Sequence, residues 1–250
     1  MQDAESANPV CGDQFARLFM DKAGLQIFQN FKAEKKANAG NVARARIIDD
    51  HLRKEVAANP GLLVVTVGAG FDSRPYRLKG GNWLELDEPQ VIAYKNEKLP
   101  IAGCPNSLIR IAVDFSLDSL HEKLAPFSKY ESVIFVVEGV LLYLDPPARQ
   151  YLAEALRGAF PKHTLICDLM TRKFLNSYAR SVQERISDIG ASLTADDEPE
   201  LLFKNKGYRV LQVTSIFRRA IELGLIKMPK QLLSIMRTLA DGYSIYLFAA

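Results

Sequence analysis

Acidic residues follow the apolar runs of this chain at regular intervals, and they have the clearest potential for chemistry. Five runs each give way to a carboxylate, and the five acids are Asp72, Asp87, Asp114, Glu138 and Asp168. If the runs are parallel strands of one sheet, their carboxyl ends meet at one edge, so we expect the acids to line one crevice. A single acid in this place is usually a helix cap or a turn residue, and Asp168 fits that simpler interpretation best.

A glycine-rich turn, Gly68-Ala69-Gly70, follows the first apolar run. Glycine lets a ligand approach bare backbone because it has no Cβ. The dinucleotide fingerprint G-x-G-x-x-G would need a glycine where this chain has Ser73, and no Gly-Lys-Ser/Thr triplet of a phosphate loop follows. The turn therefore indicates a nucleoside-like ligand without a pyrophosphate. The alternative is a tight strand–helix turn that binds nothing.

The acids and the turn together match the groups of one cofactor. Asp87 lies 17 residues after Gly70, near the spacing at which an acid on the second strand binds a ribose diol. Asp114 is placed to accept from an adenine amino group, and Glu138 suits an ammonium or a sulfonium. Arg44, in the preceding helix, suits a carboxylate. A molecule with all of these groups is S-adenosylmethionine.

The composition favours a small-molecule partner over nucleic acid or a membrane. The 250 residues, 48% of them hydrophobic, suffice for one core, and the net charge of +3 is mild for a nucleic-acid binder. Three separated cysteines fit a reducing cytoplasm and include no C-x-x-C metal pair. From the cysteine spacing we expect no bound metal. We also expect a cytoplasmic protein, since we find neither a signal-peptide pattern nor an apolar run of ~18 residues.

Strands and helices alternate in the order that positions these residues. This order predicts an α/β fold with a doubly wound, mostly parallel seven-stranded sheet, N-terminal helices and a helical lid insertion. The predicted strands cover residues 63–67, 83–87, 107–113, 132–137, 164–167, 208–213 and 242–250. We place 64–67 at the centre, between 84–86 and 133–137, because uninterrupted apolar strands suit burial on both faces.

We interpret residues 1–250 as a single domain with four parts. The parts are cap helices over 1–60, a cofactor-binding core over 61–170, a lid over 171–206, and C-terminal strands and helices over 207–250. A turn at 38–41 precedes a predicted helix over 42–58, whose apolar residues recur every three or four positions. A helix over 172–189 belongs to the lid. We expect the lid and the cap helices to close over an acceptor, since they have no place in the sheet.

Five ordered blocks of the chain resemble the leucine carboxyl methyltransferase family. GAGFDSRPYRL, residues 68–78, is similar to the family motif G-x-G-x-D-[ST]-x-x-x-R-L. The other blocks are ARARIIDDHL (43–52), ELDEPQVIAYKNEKL (85–99), VDF (113–115) and VEGVLLYL (137–144). Bacterial relatives in this group include small-molecule O-methyltransferases of the tetracenomycin carboxyl-methyltransferase type. The resemblance does not reach the lid, so the acceptor does not carry over.

The resemblance implies a class I, Rossmann-like methyltransferase fold with an antiparallel seventh strand, and S-adenosylmethionine as the cofactor. The implied binding residues are Arg44 for the cofactor carboxylate, Gly68, Ala69 and Gly70 for the loop, Asp87 for the ribose, Asp114 and Phe115 for adenine, and Glu138 for the methionine end.

The histidines bear on the methyl acceptor. A carboxylate is already ionised at pH 7, whereas a phenol profits from a general base. No histidine falls at a predicted strand's carboxyl end, which favours a carboxylate. Tyr143 and Tyr76 are candidates near a hydroxyl acceptor, and Arg74 and Arg77 are placed to draw an anionic one. The alternative for Arg77 is that it pairs with a neighbouring acid to fix the loop.

Three functions follow from this reading of the sequence. The first is an S-adenosylmethionine-dependent O-methyltransferase that modifies a carboxylate, or an acidic hydroxyl, of a small molecule. The second is a catalytically inactive S-adenosylmethionine-binding protein whose lid has lost the acceptor site. The third is a nucleotide-dependent oxidoreductase, which Ser73 in place of a third glycine disfavours.

Overall fold

Seven strands form the single sheet in the computed structural model, which describes residues 3–31, 33–115, 117–188 and 190–250. The strands are β1 Leu63–Val67, β2 Asn82–Asp87, β3 Ser107–Ala112, β4 Val133–Val137, β5 Thr164–Met170, β6 Arg209–Ser215 and β7 Tyr243–Ala249. Their order across the sheet is β3-β2-β1-β4-β5-β7-β6. The first five are parallel, and β7 runs antiparallel to both of its neighbours. The predicted sheet is therefore confirmed, including its antiparallel seventh strand.

The predicted centre of the sheet is confirmed: β1 lies between β2 and β4. Strand β1 pairs with β2 on one side and β4 on the other, so that Val65 faces both Leu84 and Phe135. Every residue of β1 and β4 is buried, as β-branched apolar runs allow in a sheet covered on both faces.

Helices cover both faces of this sheet. They are α1 Lys22–Phe31, α2 Lys35–Ala58, α3 Arg74–Arg77, α4 Pro89–Lys98, α5 Leu120–Leu124, α6 Pro146–Ala159, α7 Arg172–Tyr178, α8 Arg180–Ser187, α9 Leu201–Lys204, α10 Ile216–Glu222 and α11 Arg237–Asp241. Side chains of β1 alternate between two apolar cores, as the twofold period of a strand requires. Val65 packs in the core that α5 and α6 cover, and Val64 packs in the core that α2 and α10 cover.

Three predicted boundaries are wrong. The predicted turn at 38–41 lies inside α2, where the Asn38 N–H donates to the Glu34 carbonyl at 2.9 Å. Glycine and asparagine weaken a helix by only about 1 kcal/mol each, so the packing of α2 on the sheet and α10 outweighs them. Strand β5 continues to Met170 because β7 pairs with its whole length, which puts Asp168 inside the strand. The predicted helix 172–189 breaks into α7 and α8 at Ala179, and residue 189 of that prediction lies outside the described residues.

The lid helices α7 and α8 pack in an apolar cluster of their own beside the carboxyl end of β5. Its buried part consists of Leu142, Met170, Leu175, Ala179, Ile186 and Leu193. The division of the chain into cap, core and lid stays a prediction. Within the described ranges, no helix has both the length and the apolar composition needed to cross a bilayer.

Candidate functional site

The glycine-rich loop makes an open cradle at the end of β1. Gly68 and Gly70 have φ of +70° and +45°, in the left-handed region that glycine adopts most easily. A Cβ on Gly68 would collide with the side chain of Val140, whereas a Cβ on Gly70 would have no heavy atom within 4 Å. The loop is thus tight at its base and open at its tip, where a ligand can approach the backbone.

Asp87, the last residue of β2, is tied to this loop. Its Oδ2 accepts from the Gly70 N–H at 2.5 Å, and its Oδ1 accepts from the Glu88 N–H at 2.7 Å. The residue is only 8% exposed, so it is more enclosed than an acid lining an open crevice. Because each carboxylate oxygen has two lone pairs, both oxygens keep capacity for hydroxyl donors such as a ribose diol.

Arg44 joins α2 to the carboxyl ends of β4 and β5. Its Nε donates to Glu138 Oε1 at 2.9 Å, and one terminal nitrogen donates to the Tyr243 hydroxyl at 2.7 Å. The Tyr243 hydroxyl donates in turn to Asp168 Oδ2 at 2.6 Å. Gly139, after Glu138, has a φ of +66°, and a Cβ there would come 3.3 Å from the Arg44 guanidinium, so glycine suits this position.

Arg74, at the start of α3, holds three carboxylates together. It lies 2.7 Å from Asp49 Oδ1, 2.8 Å from Asp72 Oδ2 and 2.8 Å from Glu138 Oε2. Arg77 donates to the same Asp49 at 2.7 Å. The bond to Asp49 confirms that Arg77 pairs with a neighbouring acid. We call the seven side chains Arg44, Asp49, Asp72, Arg74, Arg77, Glu138 and Asp168 the Arg–acid cluster.

The guanidinium groups keep the acids at the mouth of the cluster ionised. Burial would raise the pKa of Glu138, but Arg74 and then Arg44 lower it, and the resulting pKa is below the usual value. Asp72 has a lowered pKa for the same reason, with Arg74 as the main cation. The side chains of Arg44 and Glu138 keep 20% and 16% exposure, whereas Arg74 keeps 4%. A ligand can therefore reach Arg44 and Glu138 but not Arg74.

The remaining predicted site residues fall in different places. Asp114 and Phe115 follow β3 on the same edge of the sheet, and Phe115 is 38% exposed. Tyr143, after β4, is half-exposed. Tyr76 lies outside the cluster: its buried hydroxyl is 3.0 Å from the carbonyl oxygens of both Leu99 and Pro100. The structure thus gives neither Tyr76 nor the enclosed Arg74 access to an acceptor.

Two residues of this network were not among the predicted site residues: Asp49, a member of the cluster, and Tyr243, which is hydrogen-bonded to Arg44. Asp49 carries a signal, because it sits in the block ARARIIDDHL on a helix face next to the buried Ile48 and Leu52. Tyr243 carries none, since it reaches Arg44 across 199 residues of sequence. Only the pairing of β7 with β5 brings its hydroxyl to Asp168.

The strand order, the glycine turn after β1 and the acid after β2 define the class I fold of S-adenosylmethionine-dependent methyltransferases. The family model described as leucine carboxyl methyltransferase matches residues 1–157. The chain belongs to the leucine carboxyl methyltransferase family.

Individual relatives agree with this assignment. A protein of Mycolicibacterium paratuberculosis, assigned to the S-adenosyl-L-methionine-dependent methyltransferases, is 29% identical over 79% of this chain and 69% of its own length. One of Mycolicibacterium gilvum with the same assignment is 29% identical over 76% of this chain and 64% of its own, just under two thirds. The fold is similar to a DUF574 family protein of Streptomyces avermitilis, with a TM-score of 0.58, 13% identity and coverage of 100% and 99%. The cofactor of this methyltransferase is S-adenosylmethionine.

Proposed function

We propose that this methyltransferase transfers the methyl group to a carboxylate oxygen of a small organic molecule. The observation that carries the proposal is the position of the three histidines. His51 lies on α2 near Glu55, and His121 lies on α5. In the described part of the chain, none of the three is hydrogen-bonded to the Arg–acid cluster. An acceptor that is already ionised at pH 7 fits a site built without a histidine base.

His163 is also unsuited to be a base, because it serves the packing of the core. Its Nδ1–H donates to the Phe160 carbonyl at 2.6 Å, and its Nε2 accepts from the Tyr208 hydroxyl at 3.1 Å. Burial lowers the pKa of His163 to about 4. The ring therefore stays neutral at pH 7, with both nitrogens occupied.

The cofactor would be held by the edge residues described above. Arg44 would bind its carboxylate, Glu138 its ammonium group, and Asp87 its ribose hydroxyls, with the loop Gly68–Gly70 beneath. Asp114 and the exposed ring of Phe115 would flank adenine. The bound cofactor supplies an electrophilic methyl group on a sulfonium, and the enzyme's main task is then alignment of the nucleophile with it. The open space at Gly70 and the accessible ends of Arg44 and Glu138 support this placement.

Tyr143 is the remaining candidate residue for contact with the acceptor. Burial raises the pKa of its phenol, although Arg44 lowers it, so the hydroxyl stays protonated near neutral pH. A protonated phenol can donate a hydrogen bond to a carboxylate but cannot remove a proton from a hydroxyl acceptor. Tyr143 would then orient the acceptor, beneath the lid helices α7 and α8.

Product chemistry combined with a pH–rate profile tests this proposal. With panels of small carboxylic acids and phenols, we expect a base-labile methyl ester and a rate that is flat from about pH 6 to 8. The variant Tyr143→Phe should raise KM for the acceptor and leave the flat profile unchanged. A base-stable ether, or a rate that climbs with a pKa of about 7 or above, would contradict the proposal.

A further inference from the structure

We propose that Lys95, on α4, is a positioning residue that holds the glycine-rich loop in the shape that receives the cofactor. The inference rests on the proposed placement of the cofactor at this loop. It concerns the peptide group between Ala69 and Gly70, which Lys95 contacts at one end and Asp87 at the other.

Lys95 is fully buried, which is unusual for a lysine and costly without partners. Its Nζ lies 2.9 Å from Glu85 Oε1, on the buried side of β2. Glu85, however, already has a cation, because the buried Arg110 side chain lies 2.7 Å from its other oxygen. Arg110 alone can neutralise the charge of Glu85, so Lys95 is not needed for that purpose and its burial requires another explanation.

The other contact of the Lys95 ammonium supplies that explanation. Its Nζ lies 3.4 Å from the carbonyl oxygen of Ala69, in the middle of the loop. The contact is long for a hydrogen bond, but a charge attracts a carbonyl dipole strongly where water is excluded. In a trans peptide, the carbonyl of Ala69 and the N–H of Gly70 point in opposite directions. Fixing the carbonyl towards Lys95 therefore directs the Gly70 N–H towards Asp87 Oδ2, which accepts it at 2.5 Å.

A loop with glycine at this position needs such a restraint. Gly70 has a positive φ and no neighbour at its Cβ position, so neither its side chain nor its packing fixes the peptide. The charge of Lys95 also acts on Asp72, the next acidic residue after the loop. Burial would raise the pKa of Asp72, but Arg74 and then Lys95 lower it. Lys95 thus acts from beneath the loop on residues that face the ligand side.

The structure offers a matched control in Arg110. Its side chain is also fully buried and bonded to Glu85, but its other contacts are Leu99, Asn96 and Tyr76 rather than the loop. Either Lys95→Met or Arg110→Met leaves one cation on Glu85, so both variants keep a neutral pair. Only Lys95→Met releases the Ala69 carbonyl.

The experiment is isothermal titration with S-adenosylhomocysteine of the wild type, Lys95→Met, Arg110→Met and Asp87→Asn, after circular dichroism has verified folding. We expect Lys95→Met to bind about tenfold more weakly and Arg110→Met to stay within about twofold of the wild type. Lys95→Gln, which keeps a donor without the charge, replaces Lys95→Met if the latter does not fold. Hydrogen exchange of the loop amides should rise in the lysine variant alone.

The outcomes separate this inference from the proposed site. If Lys95→Met binds as tightly as the wild type, or if Arg110→Met weakens binding equally, Lys95 has no special role at the loop. If Asp87→Asn weakens binding while Lys95→Met does not, the cofactor site stands and only this inference fails. If Asp87→Asn binds normally, the cofactor lies elsewhere and both ideas fall.

Discussion

The Arg–acid cluster and the predicted lid helix α8 differ in how deeply their charged side chains are buried. In the Arg–acid cluster, the side chains of Arg74 and Asp49 are 4% and 0% exposed. On helix α8 of the predicted lid, Arg180 and Glu184 form an ion pair at 82% and 70% exposure, and the side chains that α7 and α8 bury are apolar. Buried ion pairs fix the geometry because breaking one leaves a charge buried without a partner. The partners of an exposed ion pair can instead be solvated by water. We infer a cofactor side that is formed before any ligand binds and a cover that is free to rearrange.

The largest expected effect is on the cofactor side. Replacing Arg74 by methionine leaves Asp49, Asp72 and Glu138 without their shared cation, so the free energy of unfolding should fall by about 3–5 kcal/mol. Urea denaturation measures this loss, with Arg180→Met as the control. A loss below about 1 kcal/mol would show that water or rearrangement readily replaces Arg74, and the contrast between the two sides would disappear.

Acid should next destabilise the core that supports both sides. His163, in the core between β5 and α6, has a pKa lowered to about 4, against 6.5 for an unperturbed histidine. The unfolded chain therefore binds more protons between these values, so stability is lost as pH falls from about 6.5 to 4, by up to about 3 kcal/mol. Denaturation at each pH should show this slope in the wild type and a smaller one in His163→Leu. Equal slopes would mean that His163 is not neutral in the fold.

A moderate effect is expected for Asp87. In the proposed site, replacing Asp87 by asparagine removes the charge that would face the ribose hydroxyls, so S-adenosylhomocysteine should bind more weakly by about 1–3 kcal/mol. A loss of stability of about 1 kcal/mol should accompany it, because Asp87 also accepts from Gly70 and Glu88. Titration and urea denaturation measure the two effects. Lost stability with unchanged affinity would leave Asp87 a purely structural role.

The smallest effect belongs to the lid surface. Replacing Arg180 by methionine should change the free energy of unfolding by less than about 0.5 kcal/mol, since the pair with Glu184 is solvated. Cofactor affinity should also stay the same. A loss above about 1 kcal/mol would mean that surface charges hold the lid down, and the lid would then resemble the cofactor side.

The same contrast explains what could be predicted from the sequence. The central strands β1 and β4 were recognisable because they are uninterrupted apolar runs, and Asp87 because its distance from Gly70 is a local property. The Arg–acid cluster was not recognisable as a unit, since Arg44 and Asp168, which contact each other in the fold, lie 124 residues apart. Asp168 was misplaced at a strand end because the pairing with β7 that extends β5 leaves no mark near residue 168. Local spacing predicts the residues that we propose to face the cofactor, whereas the network behind them depends on tertiary contacts.

The lid was the least predictable region for a related reason. No glycine or proline marks the break at Ala179 between α7 and α8. Leu175 of α7 and Ile186 of α8 pack with Leu142 and Met170 in one apolar cluster, a set of contacts between residues distant in the sequence. Methyltransferase chemistry could thus be inferred from local motifs, while the residues that contact the acceptor could not.

A crystal structure with S-adenosylhomocysteine bound tests the central claim most directly. The account predicts the ribose hydroxyls on the Asp87 carboxylate and the homocysteine carboxylate on Arg44, with Arg74 still bonded to Asp49, Asp72 and Glu138. A ligand that touches neither Asp87 nor Arg44, or one that binds only after the Arg–acid cluster comes apart, would contradict a preformed cofactor site at this edge of the sheet.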